Sequence, residues 1–269
     1  MEILASAAHK LGHAGSADAQ EVIVVILTRT FVENSHIFSR PQQELWSKLG
    51  DQLPEHFILY GDTALGLRMG HRGSPDFELK SSRNFNPDSL RENVPFLRGA
   101  QVLESRWSHL RVAVGGPTPV EMTFDGGQTM AQIHPPERSS NGLAVASLAD
   151  LAGEKMHRFS ERPTANDCRD VAALLYEGTS IDEMMGFAKA QFGERFDPAV
   201  AVKKLTDADR PDLQLDQETQ SVLIREGAAG RLPALTPIHS ERITTETQAL
   251  ARRVREQPNH ERPGLDWER

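Results

Sequence analysis

The sequence predicts an α+β protein, a small mixed sheet with flanking helices in the first half of the chain and a helical region after it. Three observations lead there. Between residues 56 and 125 short apolar runs alternate with polar residues and are punctuated by glycine turns, the pattern of half-buried strands. After Pro135-Pro136 the apolar spacing lengthens to three and four residues, with Ser, Thr or Asp at the starts, the pattern of capped helices. A chain of 269 residues with 38% hydrophobic content is long enough to bury a core and to form one or two domains.

Taken in order, residues 1 to about 54 read as helical, with Arg40-Pro41 as a break and PQQELWSKLGDQLP as a helix starting on its proline, whose missing N–H costs nothing in the first turn. The longest apolar run, residues 22–27, is far short of a membrane span of about 20 residues and is assigned to the core. Residues 56–60 form a strand, residues 63–69 a short helix closed by Gly70, and residues 76–79 a strand. On that strand Phe77 and Leu79 point to one side and Asp76 and Glu78 to the other. Residues 86–97 form a loop and helix. Residues 107–114 and 119–124, joined by GGPT, read as a hairpin whose second strand carries Val120, Met122 and Phe124 on one face and Glu121, Thr123 and Asp125 on the other.

The Pro135-Pro136 pair and the polar ERSSNG stretch read as a linker that divides a core of residues 1–135 from a helical domain of residues 136–230. In that domain residues 145–159 form a helix capped by Ser147 and Asp150, with Leu148, Leu151, Ala152, Met156 and Phe159 as its apolar stripe. Lys155 lies inside this stripe, where a charge needs a partner anion or a route to the surface. Residues 167–177 form the next helix, with Val171, Leu174 and Leu175 inward and Asp167 in its first turn. Ser180 with Glu183 opens another helix, and Asp197-Pro198 one more. Residues 231–269 read as an exposed helix around 246–255 and a loose tail.

Composition sets limits. The net charge is -8 and the pI about 5.7, which argues against a broad nucleic-acid-binding face. Residues 61–120 are the exception, with 8 Lys/Arg against 6 Asp/Glu. One cysteine excludes an internal disulfide, and the absence of a leader-like N-terminus points to a cytoplasmic protein.

Asp76 and Glu78 on one side of a strand, behind a glycine turn and a helix start, suit nucleotide chemistry. Mg²⁺ takes oxygen ligands and shares them with substrate phosphates, and free N–H groups at a helix start hold phosphate. Capping by Asp62 and a solvated strand face is the competing reading.

Three separated segments then agree with one family. The residues Gly61-Asp62, Gly70-His71-Arg72, Ser74 and Asp76-Phe77-Glu78, the helix Ser147-Leu148-Ala149-Asp150-Leu151 with Lys155, and Arg162 with Asn166-Asp167-Cys168-Arg169-Asp170 resemble the AbiEii/AbiGii nucleotidyltransferase toxins of type IV toxin-antitoxin systems. The similarity runs from about residue 42 to about residue 205. It implies a polymerase-β-like nucleotidyltransferase core followed by a helical domain, and the transfer of a nucleotide from an NTP to an RNA, such as tRNA, or to a protein acceptor.

By the same resemblance Asp76, Glu78 and Glu121 would be catalytic carboxylates and ligands of Mg²⁺, with Thr123 an alternative to Glu121 at the third position. Gly61, Asp62, Thr63, Arg72, Ser74 and Arg162 would face the nucleotide. Lys155 would reach the phosphates and Asp167 would orient that lysine or the acceptor. A cognate antitoxin would be the partner, in the setting of abortive infection. Three positions depart from the family pattern: Asp62 in the phosphate turn, where unit charges 4 Å apart repel by about 4 kcal/mol at an effective dielectric near 20, Glu78 for Asp, and Asn166 for Lys. They leave two readings open, an active enzyme and a degenerate member that retains the fold to bind a nucleotide or a partner.

Overall fold

The aromatic side chains set the first layer. Phe38, Trp46 and Phe77 meet with ring centroids 5.2 to 6.2 Å apart, and Phe57 packs edge-on against Phe85 and Phe124 at 5.4 Å. Those residues come from helix α1 (Arg40–Gln52), the strand β2 (Asp76–Lys80), the strand β5 (Val120–Asp125) and the loops beside them, and they bury one face of a sheet under a helix. The computed structural model describes residues 31–128 and 131–229. Within them lie eight α-helices and a seven-stranded mixed sheet, so the α+β class is borne out.

The remaining elements, in chain order, are β1 (Ile58–Tyr60), α2 (Gly61–Met69), α3 (Pro87–Asn93), β3 (Gln101–Arg106), β4 (His109–Val114), β6 (Glu137–Arg138), β7 (Ala144–Val145), α4 (Leu148–Glu161), α5 (Ala165–Tyr176), α6 (Ile181–Phe192), α7 (Pro198–Thr206) and α8 (Gln217–Ala228). The sheet order is β3-β4-β5-β2-β1-β7-β6. Strands β2 and β5 pair in parallel, as do β1 and β7, and the other neighbours are antiparallel. Alternation then sorts the side chains. Leu59, Phe77, Leu79, Leu110, Val112, Met122 and Phe124 are buried on the core face, and the polar residues between them share the opposite face.

The described residues divide into two compact units, one of residues 31–128 with 135–151 and one of residues 131–134 with 152–229. In the first, Pro135-Pro136 and ERSSNG are not a linker but the hairpin β6–β7, which extends the sheet through the parallel pairing of β7 with β1. Asn141 in its turn donates to the Trp46 carbonyl at 2.5 Å, and Gly50 on α1 presses on the Asn141 carbonyl so closely that a Cβ would lie 1.6 Å from the oxygen. Arg68 on α2 completes the attachment, donating to the carbonyls of Ala146 at 2.7 Å and Val145 at 3.3 Å and pairing with Glu137. Burial lowers the Arg68 pKa, and the bond to Glu137 opposes that effect.

Helix α4 starts at Leu148, after Val145 has been spent on β7, and Ser147 caps it by accepting from the Asp150 N–H at 3.1 Å. In the second unit Lys155 of α4 is 2% exposed and its ammonium stands 3.3 Å from Asp167 and 2.8 Å from Asp170 of α5. Asp167 also closes the capping box of α5 with Thr164. The predicted cap of α6 is present: Glu183 accepts from the Ser180 backbone N–H at 2.9 Å and from its hydroxyl at 2.7 Å, which holds its pKa below the usual carboxylate value. Cys168 is buried on α5, and desolvation with the Asp167 charge pushes its thiol up to about 12, far from thiolate chemistry. The expected helix at residues 246–255, the tail, and residues 22–27 lie outside the described residues.

Two stability measurements follow. Gly50→Ala forces backbone against backbone and should lower the unfolding free energy by about 2 to 4 kcal/mol in urea titration, whereas Gly116→Ala, with open space at its Cβ, should change it by less than about 0.5 kcal/mol. Lys155→Met strands two buried carboxylates and should cost about 3 to 5 kcal/mol; adding Asp170→Asn should recover part of that loss, which a purely steric role for Lys155 would not allow.

Candidate functional site

The site is built around a glycine. Gly61 follows β1 directly, opens α2 with φ of +70, and lies so close to β2 that a Cβ on it would meet the Glu78 carboxylate at 2.6 to 2.9 Å. Only a residue without a side chain accepts both the backbone angle and the contact. Tyr60 and Glu78 are register partners, so β1 and β2 present the turn and the acid side by side.

Asp76 lies two residues before Glu78 on the same polar face. The Ser74 hydroxyl donates to Asp76 Oδ1 at 2.7 Å, and the Thr63 hydroxyl donates to the Asp76 carbonyl. Thr63 is buried, so in this structure it braces α2 against β2. One step further out, Gln42 of α1 donates to the Ser74 carbonyl at 2.7 Å while its own carbonyl accepts from the Ser39 N–H. The start of β2 is thus tied to two helices.

In the parallel register Asp76 stands beside Glu121 and Glu78 beside Thr123. The three candidate carboxylates therefore share one face of two adjacent strands. Glu121, however, accepts from Arg111 of β4 at 2.7 and 3.1 Å, which draws it away from β2. The same bond and the Glu121 charge, with a smaller contribution from Asp76, raise the Arg111 pKa. Among the described residues no three His, Cys, Asp or Glu side chains form a group able to hold a metal ion by themselves. Asp76 and Glu78 alone suit Mg²⁺, which is commonly held by one or two carboxylates and completes its octahedron with water and phosphate oxygens.

Asp62 corrects an expectation. It does not cap α2 as an isolated charge: Arg72 donates to Asp62 Oδ2 at 2.6 Å, with both side chains about five-sixths buried. The repulsion expected of a bare carboxylate in the phosphate turn is offset within the turn itself. The loop carrying Arg72 is set by Gly70, whose φ of +69 ends α2, and by Gly66, whose missing side chain leaves room for the Arg72 carbonyl.

In the second unit the structure brings together Lys155 and Asp167 and leaves Arg162 exposed at the end of α4. Asp170, fully buried at 2.8 Å from the Lys155 ammonium, has no role in the reading from sequence. Its signal was available, because residues 167 and 170 share a helix face. Arg111 gave no comparable signal, since its partner lies on another strand.

The family comparison covers most of this architecture: the profile of the nucleotidyl transferase AbiEii toxin, type IV TA system, matches residues 49–237. Among solved structures, MenT4, a nucleotidyltransferase toxin of Mycobacterium tuberculosis H37Rv, is 17% identical with a TM-score of 0.48 over 78% of this chain and 90% of its own. An H. pylori protein assigned as a nucleotidyltransferase is 15% identical with a TM-score of 0.41 over 79% of this chain and 99% of its own. No curated protein matches the sequence. With the family profile spanning more than two thirds of its residues, the turn at Gly61, the acids of β2 and the Lys155 helix included, this chain belongs to the AbiEii nucleotidyl transferase toxin family.

Proposed function

We propose that the protein transfers a nucleotide from an NTP to an RNA, such as tRNA, or a protein acceptor, in a Mg²⁺-dependent reaction at the polar face of β2. The observation that carries this reading is the placement of Asp76 and Glu78 on one face beside Gly61 at the head of α2. In it the two carboxylates hold Mg²⁺, with Glu121 as the further acid. A bound Mg²⁺ there supplies neutralisation of the triphosphate and activation of the attacking hydroxyl.

The protein's own groups do the rest. The Gly61-Asp62-Thr63 turn offers α2 backbone N–H groups to phosphate, favoured by the helix dipole. Ser74 fixes the rotamer of Asp76 through Oδ1 and leaves Oδ2 for a ligand. Arg72 exchanges Asp62 for a phosphate oxygen when the nucleotide arrives, since both are acceptors of the same guanidinium. Asp167 fixes the Lys155 ammonium, and Lys155 and Arg162 are the cations this reading assigns to the nucleotide. A cognate antitoxin is the partner implied by the family, and the cytoplasm the implied location.

One observation favours a second reading. Asp62 occupies the first turn of α2, where the phosphate would sit, and already satisfies Arg72. A chain in which this pair never opens would keep the fold and bind a partner without transferring nucleotides.

Asp76→Asn and Glu78→Gln should each reduce transfer of label from an NTP to RNA or protein by about 10² to 10⁴, with melting temperatures within about 3 °C of the wild type; full activity in either variant removes these acids from the reaction. Calorimetric titration with each NTP and Mg²⁺ separates the two readings. Measurable binding by the wild type, weakened roughly tenfold or more in Arg72→Ala, supports the enzyme. Binding that occurs only in Asp62→Gly supports the closed pair of the second reading.

A further inference from the structure

Strand β3 is the outermost strand at one end of the sheet, paired on one side with β4, and all six of its residues are exposed. Three of the six large hydrophobic side chains exposed among the described residues lie on it or just after it: Val102 at 38%, Leu103 at 40% and Trp107 at 67%. An exposed edge strand carries a row of backbone donors and acceptors able to pair with another strand. Apolar side chains there raise that tendency, and proteins usually suppress it with charge. Here the charges are Glu104 and Arg106, two residues apart on the polar face and paired with each other.

That spacing makes the edge complementary to itself. In an antiparallel pairing of two copies of β3 related by a two-fold axis through Ser105, residues on one face must stay on that face, so position 104 stands opposite position 106 of the other copy. Glu104 then faces Arg106 of the other copy, twice by symmetry. The small Ser105 meets Ser105 on the axis, and the exposed Leu103 in the bulge and Trp107 in the turn after β3 flank this short ladder with apolar surface. The alternative centred on Glu104 sets two like charges against each other and is disfavoured. The bulge at Leu103 and the end of β3 at Arg106 confine the regular pairing to residues 104–106, the complementary ones.

We propose that two copies of this chain associate through antiparallel pairing of β3, centred on Ser105. The two sheets then run on as one, seven strands from each chain, with the Asp76 and Glu78 faces of both copies on the same side. By strand spacing the two β2 strands lie about 34 Å apart, seven intervals of about 4.8 Å, so each copy keeps its own acidic face. The interface is independent of whether the chain transfers nucleotides.

Sedimentation velocity on the full chain tests it. The wild type should show a dimer in the range of about 1 to 100 µM. Glu104→Arg and Arg106→Glu should each weaken self-association at least about tenfold, because each sets like charges opposite one another. An equimolar mixture of the two variants should recover the dimer, since the first then presents two basic side chains at positions 104 and 106 to the two acidic side chains of the second. Leu103→Lys, which leaves all four charges in place, is the second kind of variant and should also weaken the dimer. A monomeric wild type up to about 100 µM overturns the proposal. So does a dimer that none of these substitutions weakens, or charge variants that stay apart when mixed while Leu103→Lys remains dimeric.

Discussion

Everything at the acidic face depends on one exclusion: the backbone of Gly61 and the carboxylate of Glu78 compete for a volume that holds only one of them if residue 61 carries a side chain. The positive φ that starts α2 comes from the same glycine. Because β1 enters α2 without an intervening loop, the contact fixes the helix start relative to β2 within the width of an atom. The hydrogen bonds from Thr63, Ser74 and Gln42 then act on a strand whose position is already set. The Ser74 bond chooses the Asp76 rotamer, and those of Thr63 and Gln42 tie the backbone at the start of β2 to the two helices.

Charge balance follows the same economy of short range. The polar face carries Asp76, Glu78, Glu121 and Asp125, and two of these acids have a strand neighbour as partner: Arg111 donates to Glu121, and His109 Nδ1 hydrogen-bonds Asp125 at 2.7 Å. At the turn Arg72 answers Asp62, and on α4 Lys155 sits between two aspartates. A chain with a net charge of -8 would otherwise gather repulsion where its strands converge. In the buried pairs, attraction must offset the loss of hydration. Their value is therefore geometric as much as energetic, since each fixes a side chain that water alone would leave mobile.

What the sequence disclosed was what is written within four or five residues. Ser180 with Glu183, Asp197-Pro198, the αL glycine at residue 70 and the alternation of β2 and β5 all appear as expected, because a cap or a pleat is satisfied by near neighbours. Strand β3 was missed since QVLESR shows no two-residue alternation, being exposed on every position and interrupted by a bulge. The β6–β7 hairpin was read as a linker because its strands are two residues each and owe their existence to β1 and Arg68, far away in sequence. The partnership of Asp62 with Arg72 was equally hidden: ten residues separate them, and only the fold of the Gly70 loop closes that distance. Of the candidate site, the residue types and their strand face were legible, and their partners were not.

The parallel pairings carry a consequence for how the protein is made. Strand β2 needs β5, more than forty residues later, and β1 needs β7, more than eighty later, with Arg68 waiting for the carbonyls of Val145 and Ala146. At synthesis rates of about 5 to 20 residues per second, roughly 3 to 13 s pass between residues 80 and 146, during which β1 has β2 on one side and lacks β7 on the other. Such long loops also make closure slow once all the parts are present. A translation product broken off between residue 80 and the β6–β7 hairpin holds the whole Gly61-to-Glu78 motif and still lacks the strand that completes its sheet. In a family of toxins, that topology couples the assembly of the acidic face to nearly complete synthesis of the first unit.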